Sequence, residues 1–325
     1  MTALSLPRTL GLALTSFSIL IIISIASKIG VGSISLFQFS YNLQNVPLGI
    51  IGVSYAVAAF PTLARFCSTD NMGEFVRYIG SAARQIIFWS MPIMFLFIVL
   101  RAQIVRVILG AGAFSWNDTR LTAAALALFS VSIVGQSLIL LFTRGYYAAG
   151  NTRKPLVINL VSTFATIALS FGLVSLFRHD PMVRYFFESI LRIQDVPHAE
   201  IVMLPLAFSV GAIINTFWLW LAFKHDFAVR GQFMLRSFGQ SFAGAFFMGY
   251  VAYLLLDVFD DVFDISTFSG ILGQGLVSGI LGILAGVIVL RLLGSQELTS
   301  IAASLRSKRL FKTEIVSSAP EEVQG

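Results

Sequence analysis

The sequence predicts an all-α integral membrane protein with about eight transmembrane helices. Hydrophobic residues make up 57% of the chain and charged residues 12%, whereas charged residues make up about 25% of a typical soluble domain. The mean hydropathy is +0.85. Apolar runs of the roughly 20 residues that a helix needs to cross a bilayer recur along the whole chain.

Each apolar run is bounded by glycine, proline or charged residues, which commonly end helices. The eight predicted spans cover residues 9–28, 34–64, 84–109, 117–148, 155–177, 201–223, 233–256 and 267–293. The first span follows Arg8 and resembles a signal peptide, but its length and the spans behind it favour an uncleaved helix. Ser115 and Asp118 predict a capping box that opens the fourth span. Gly150 can close that span, and Pro155 suits the first turn of the fifth.

The second span carries an uncharged polar stripe. Its members, Gln38, Asn42, Asn45, Gly49 and Gly52, follow one another at intervals of four, three, four and three residues. These intervals place them on one face of a helix. An amide in hydrocarbon costs free energy unless it is hydrogen-bonded, so this face must meet protein or water. Two interpretations stay open: the stripe lines a passage, or it joins packed helices.

Fainter polar faces occur in the first, fourth and fifth spans. They comprise Gly11, Thr15, Ser18, Ser132, Gln136, Thr143, Asn159, Thr163, Thr166 and Ser170. None contains a carboxylate, the group that usually forms proton relays and cation sites within membranes. In the second span, Pro47 predicts a kink that frees backbone carbonyls beside the polar stripe, as in the broken helices of transporters.

The eighth span carries a stripe of small residues. It consists of Gly275, Gly279, Gly282 and Gly286. Such a stripe permits close packing of helices, and it also leaves room for a shallow groove that admits a lipid tail. Both interpretations stay open.

The basic residues indicate orientation rather than a nucleic-acid partner. The net charge is +6, but lysine and arginine lie between the apolar runs. With both termini in the cytoplasm, 15 of the 22 basic residues lie on the cytoplasmic side, which agrees with the positive-inside rule. The chain has a single cysteine and lacks the sequence motifs of metalloproteases, serine hydrolases and phosphate-binding loops. We therefore expect no disulfide, metal, cofactor or catalytic residue.

Two amphipathic segments lie outside the spans. Residues 182–193 combine an apolar side with an i,i+4 pair of Glu188 and Arg192, which predicts a short helix on the outer membrane surface. Residues 298–305 form an apolar edge ahead of a basic cluster at 306–312 that anionic cytoplasmic lipid would attract. We accordingly divide the chain into three parts: a six-helix bundle at 1–226, an additional helix pair at 227–293, and a basic amphipathic segment with a disordered cytoplasmic tail at 294–325.

Several local motifs follow one another in a specific order. They are Gly32-Ser33-Ile34-Ser35, Asn45-Val46-Pro47-Leu48-Gly49-Ile50-Ile51-Gly52-Val53, Phe60-Pro61-Thr62-Leu63-Ala64-Arg65, Gly112-Ala113-Phe114 with Asp118-Thr119, and Arg144-Gly145-Tyr146-Tyr147-Ala148 with Asn151-Thr152-Arg153-Lys154-Pro155. In this order and at these separations, the chain resembles the MurJ (MviN) family of lipid II flippases between about residues 5 and 160.

The resemblance implies a bacterial cytoplasmic-membrane protein of the multidrug/oligosaccharidyl-lipid/polysaccharide (MOP) exporter fold. Such proteins have two six-helix lobes around a central cavity, and MurJ adds a final helix pair that forms a groove for a polyprenyl tail. This chain would hold the second lobe and the added pair. We expect it to be a fragment, or a subunit that needs a complementary N-terminal lobe, because alternating access requires two bodies.

The implied substrate is an undecaprenyl-diphosphate-linked peptidoglycan precursor, moved to the outer leaflet without a change in covalent bonds. The residues implied to serve it are Gln38, Asn42 and Asn45 for the polar headgroup, Arg8, Arg84 and Arg144 for the diphosphate, and the glycine stripe for the tail. The arginines also have a simpler explanation as topology signals or contacts to phospholipid.

The chain departs from the family pattern at two positions. Asn42 stands where the family commonly has an arginine, so diphosphate binding should be weaker unless other arginines compensate. Ile22 stands where sodium-coupled members have an aspartate, so we expect no sodium site of that kind. The alternatives are a polysaccharide or multidrug exporter of the same superfamily, an inactive scaffold and, more distantly, a membrane enzyme.

Overall fold

The computed structural model describes residues 16–110, 114–227, 232–264 and 267–300, and within these ranges the regular structure is helical. In chain order the helices are α1 (Ser16–Ser27), α2 (Ser33–Leu48), α3 (Ser54–Ser68), α4 (Met72–Val99), α5 (Arg101–Leu109), α6 (Trp116–Ser130), α7 (Ser132–Ala148), α8 (Arg153–His179), α9 (Pro181–Leu191), α10 (Met203–Phe227), α11 (Gln232–Val258) and α12 (Phe268–Leu292). A π-helical turn (Gly49–Val53) joins α2 to α3, and a 3-10 turn (Ala199–Val202) precedes α10.

The chain is an integral membrane protein, and its described part has six or seven spans. Six helical segments are long and apolar enough to cross a bilayer, and α6 with α7 adds a seventh when this pair, bent by 42°, is counted as one span. The first predicted span, 9–28, corresponds to α1, whose described residues are too few to qualify. Residues 9–15 of that span and the basic cluster at 306–312 lie outside the described residues.

The third span lies earlier in the chain than predicted. The prediction was 84–109, but α4 begins at Met72 and ends at Val99, and α5 follows separately. The Asn71 side chain caps α4 by accepting a hydrogen bond from the Glu74 N–H at 3.3 Å. Charged residues near the start of α4 thus belong to the helix rather than to a loop.

Local predictions at other helix ends are confirmed. Ser115 and Asp118 form the capping box of α6, Gly150 adopts a left-handed conformation with φ 76° after α7, and Pro155 lies in the first turn of α8. The fourth span is predicted as one helix, but the structure breaks it at Val131 into α6 and α7. The sequence gives no sign of this break, because both halves are apolar and valine is not a helix-breaking residue.

The helix predicted at 182–193 is confirmed as α9, but its predicted ion pair is wrong. Glu188 pairs with Arg184 at 2.7 Å. Arg192 instead ends the helix in a left-handed conformation with φ 58°, and its guanidinium donates to the Tyr253 hydroxyl at 3.2 Å. Burial lowers the pKa of the nearby Arg101 guanidinium, and the charge of Arg192 lowers it further.

The last two helices pack closely against each other and against α4 and α5. An ideal Cβ on Gly249 of α11 would lie 3.3 Å from Phe95 Cβ of α4. In the rest of the bundle, α10 packs against both α7 and α8. Because successive spans alternate in direction, the start of α4, the end of α7, the start of α8 and the end of α10 lie at one end of the bundle. This shared end, here called the basic end, carries Arg144, Arg153, Lys154 and Lys224.

Candidate functional site

A π-helical turn interrupts the span that carries the polar stripe and changes the direction in which the residues after it face. Pro47 lies in the last turn of α2, and the helix continues through the π turn into α3 without a gap. The predicted break at Pro47 therefore takes the form of a π turn. Such a turn holds one extra residue, so residues after it are rotated by about 100° relative to a continuous α-helix. The Ser54 hydroxyl donates to the Gly49 carbonyl at 3.2 Å.

The amides before the π turn are on the surface of the bundle. Gln38 and Asn42 are exposed and Asn45 is half-buried. Among the described residues, nothing beyond the adjacent residues and the helix's own backbone lies within 4 Å of an ideal Cβ on Gly49, whereas a Cβ on Gly52 would lie 2.8 Å from Ser137 Oγ. The prediction that all five residues share one face is therefore wrong for Gly52, because the π turn rotates it towards α7. Gln38 and Asn42 lie on a span and lack cover, so they must meet water or another protein body.

Gln44, which is not part of the predicted stripe, is the centre of a buried hydrogen-bond network. Its Oε1 accepts from Gln136 Nε2 at 3.1 Å and from Ser132 Oγ at 3.4 Å. Gln136 Nε2 also donates to Ser132 Oγ at 2.6 Å, and Gln44 Nε2 donates to Asn45 Oδ1 at 3.3 Å. The network joins α2 to α7. The interpretation that polar residues join packed helices therefore holds for a second polar line of α2, the one that contains Gln44. The line was detectable, because Ser33, Ser40 and Gln44 are spaced at helical intervals.

Each of the fainter polar faces contributes side chains to a cavity of about 210 Å³. Its polar lining consists of Ser18, Gln136, Asn159, Ser162, Thr163, Thr166 and Asn215. Asn215 Nδ2 donates to Asn159 Oδ1 at 3.0 Å, while Asn215 Oδ1 and Ser162 Oγ are buried with no hydrogen-bond partner among the described residues. Unsatisfied hydroxyl and carbonyl oxygens in a cavity of this size suit ordered water or an uncharged polar group. Gln136 connects this polar cavity to the network around Gln44.

The predicted arginines lie apart from the exposed amides. Arg84 is 3.6 Å from Glu297 Oε1, which also accepts a hydrogen bond from Ser237 Oγ at 2.7 Å. Glu297 is only 8% exposed, so a buried carboxylate partly neutralises the charge of Arg84. Arg144 is half-buried one turn before the end of α7, near the basic end, whereas Gln38 lies near the opposite end of the bundle. Arg8 lies outside the described residues.

The glycine stripe of α12 is packed against neighbouring helices. An ideal Cβ on Gly282 would lie 2.7 Å from the Met248 carbonyl, and one on Gly286 would lie 2.9 Å from Met248 Cβ. A Cβ on Gly279 would lie 3.2 Å from Leu100 Cδ1, and one on Gly275 would lie 3.2 Å from Gln103 Cβ. These contacts fill the space that a lipid tail would need, and they favour the close-packing interpretation.

The comparisons with known proteins agree with one another. The family model described as Lipid II flippase MurJ matches residues 1–272. A protein named "Probable lipid II flippase MurJ" from Bdellovibrio bacteriovorus is 30% identical over 165 residues, which are 51% of this chain and 32% of that protein. The protein of the same name from Buchnera aphidicola is 25% identical over 240 residues, which are 74% of this chain and 42% of that protein.

A solved structure described as "Lipid II flippase MurJ, inward closed conformation" has the same fold. The TM-score is 0.65 at 20% identity, and the match covers 91% of this chain and 54% of that chain. This chain therefore matches about a third to two fifths of the length of these curated relatives.

Proposed function

Because the chain belongs to the MurJ family of lipid II flippases, we propose that it forms one wall of a passage that moves an undecaprenyl-diphosphate-linked peptidoglycan precursor across a bacterial cytoplasmic membrane. The observation that carries the proposal is the exposure of Gln38 and Asn42 on a 36-residue membrane span. Transfer in this scheme makes and breaks no covalent bond, and both termini lie in the cytoplasm.

The chemistry of the exposed face suits a sugar or peptide headgroup. Each amide offers two donors and one carbonyl acceptor, which match hydroxyl and amide groups of a neutral headgroup. Asn45 is adjacent to the same face and is held by Gln44. We propose that Gln38, Asn42 and Asn45 contact the headgroup, and that a second body, equivalent to the first lobe of the family, faces them across the passage.

The basic residues have a supporting role in this proposal. Arg8, Arg84 and Arg144 would attract the diphosphate at the cytoplasmic side, since guanidinium groups bind phosphate oxygens strongly. Arg84 is the weakest of the described candidates because Glu297 partly neutralises it. The glycines of α12 contribute to the proposal by joining α12 closely to α11 and α5 rather than by holding the tail.

The test is replacement of the chromosomal copy in the host bacterium. We expect the double variant Gln38→Leu with Asn42→Leu to stop growth and to accumulate lipid-linked precursor in the inner leaflet. The matched control is Phe39→Leu, which changes an exposed side chain of the same helix without removing an amide, and it should grow normally. The protein level in the membrane is measured for each variant.

Normal growth and normal export in the double variant, at a normal protein level, would overturn the passage. That result would instead favour a scaffold, whose surface loops rather than this face would be essential. Normal peptidoglycan export with loss of a surface polysaccharide would assign the same face to a polysaccharide exporter.

A further inference from the structure

An open apolar cavity of about 700 Å³ lies between α4, α7, α10 and α11. It is lined almost entirely by aliphatic and aromatic side chains, with Thr216 and Lys224 as the polar exceptions. It shares no lining residue with the polar cavity and contains none of the exposed amides. Its walls lack the hydrogen-bonding groups that a sugar headgroup needs, so it suits a hydrocarbon chain.

The length of the cavity matches one leaflet of a membrane. Its lining on α10 extends from Ile213 to Lys224, which corresponds to about 16 Å at the rise of an α-helix. The hydrocarbon core of a bilayer is about 30 Å thick, so the cavity extends from the basic end to about the middle of the membrane. An acyl chain anchored at that end would fill it along its length.

Lys224 marks one end of the cavity. Lys224 Nζ lies 5.5 Å from the centre of the Trp220 ring, and in the described residues it makes no ion pair with a carboxylate. The nearby carboxylate of Asp226 instead pairs with Lys154, whose Nζ lies 2.5 Å from Asp226 Oδ1. A lysine at the membrane surface buries its stem and keeps its ammonium in water, where it attracts the anionic lipids of the cytoplasmic leaflet.

We propose that this cavity is a binding site for an anionic glycerophospholipid of the inner leaflet, with one acyl chain in the cavity and the phosphate at Lys224. The site goes beyond the proposed transport, because its occupant is a resident lipid and not the cargo. It would also connect the six-helix bundle to the added pair, since α11 supplies one wall through Phe238 and Phe242.

Trp220 provides a probe inside the site. In a variant with Trp89, Trp116 and Trp218 replaced by Phe, Trp220 is the single tryptophan, and it is reconstituted in phosphatidylcholine vesicles. Either phosphatidylglycerol or phosphatidylcholine with brominated acyl chains is then added as a quencher. One lysine near anionic lipid contributes about 1 kcal/mol, which corresponds to about a fivefold preference. Because the added lipid competes with unlabelled phosphatidylcholine for the site, a fivefold preference gives half-maximal quenching at about a sixth of the total lipid for brominated phosphatidylglycerol, and at about half for brominated phosphatidylcholine.

Two matched variants identify the charge. Lys224→Gln should abolish the preference for phosphatidylglycerol, whereas Arg153→Gln, which removes an exposed cation at the same end of the bundle, should leave it intact. Equal quenching by the two lipids in the parent protein, or an unchanged preference in Lys224→Gln, would overturn the proposal. Both results are read on protein that elutes as a single species.

A third variant tests the cavity itself and does not depend on Lys224. Ile213→Phe places a larger side chain at the inner end of the cavity, and it should reduce quenching by lipids that are brominated near the chain terminus. Unchanged quenching would place the chain elsewhere. Displacement of brominated phosphatidylglycerol by an equal amount of undecaprenyl phosphate would also overturn the proposal, since the occupant would then be a polyprenyl chain. Failure of the transport experiment on Gln38 and Asn42 leaves these readouts unaffected.

Discussion

Gly49 and Gly52 belong to the same π turn, yet a methyl group would meet very different surroundings at the two positions. At Gly49 an ideal Cβ meets nothing within 4 Å in the described part of the chain apart from its own helix backbone and adjacent residues. Gly49→Ala should therefore raise the free energy of unfolding by about 0.5 to 1 kcal/mol, because alanine loses less conformational entropy than glycine in a helix. At Gly52 the Cβ would lie 2.8 Å from Ser137 Oγ and 3.0 Å from Ser137 Cα. The Ser137 Cα cannot move away without the backbone of α7. Gly52→Ala should therefore lower the free energy of unfolding by about 1 to 3 kcal/mol through overpacking.

The two alanine variants should therefore differ in free energy of unfolding by about 1.5 to 4 kcal/mol. Reversible unfolding by denaturant in mixed micelles, followed by tryptophan fluorescence, measures this difference directly. Gly49→Ala is the matched control, because it makes the same chemical change in the same turn. Equal unfolding free energies for the two variants would refute the rotation at the π turn, since a continuous α-helix would place both glycines on the exposed face.

Two further outcomes are expected. The first compares two cysteine variants in a background without the native cysteine, treated with a membrane-impermeant maleimide in intact membranes. Asn42→Cys should react about tenfold faster than Gln44→Cys, because the exposed position must meet water or protein and the buried one is closed. Equal rates would exclude a wet crevice at this face. The second concerns the ion pair of Lys154 with Asp226, whose Oδ1 lies 2.5 Å from Lys154 Nζ. Lys154→Ala should lower the free energy of unfolding by about 1 kcal/mol, a modest value because the lysine is half exposed. Arg153→Ala is the exposed control, and an equal loss of stability there would assign the effect to net charge rather than to the pair.

The sequence alone predicted features that depend on neighbouring residues. The capping box at Ser115 needs only a hydroxyl and a carboxylate three residues apart, and the spacing of Gln38 and Asn42 needs only the helical repeat. Both are confirmed. The extent of α4 was not predicted, because charged residues in the part of a helix beyond the hydrocarbon look the same in sequence as charged residues in a loop.

Other parts of the site depend on contacts between distant segments. The π turn after Pro47 rotates Gly52 into the interior, and no local pattern specifies whether a proline produces a kink or an extra residue. The link between Arg84 and Glu297 joins α4 to the segment after α12, so a local pattern treats Arg84 as a free cation. Asn159 and Asn215 come together only because α8 packs against α10. These outcomes follow from helix packing, which the linear pattern does not encode.

The 42° bend between α6 and α7 places one joint between two chemically different compartments. Val131 lines the apolar cavity, and Ser132, the next residue, donates to Gln44 in the buried network. A change in this bend would therefore displace one wall of the apolar cavity together with Ser132 of the buried network. The apolar cavity and the buried amide network therefore meet at a single peptide bond, between Val131 and Ser132.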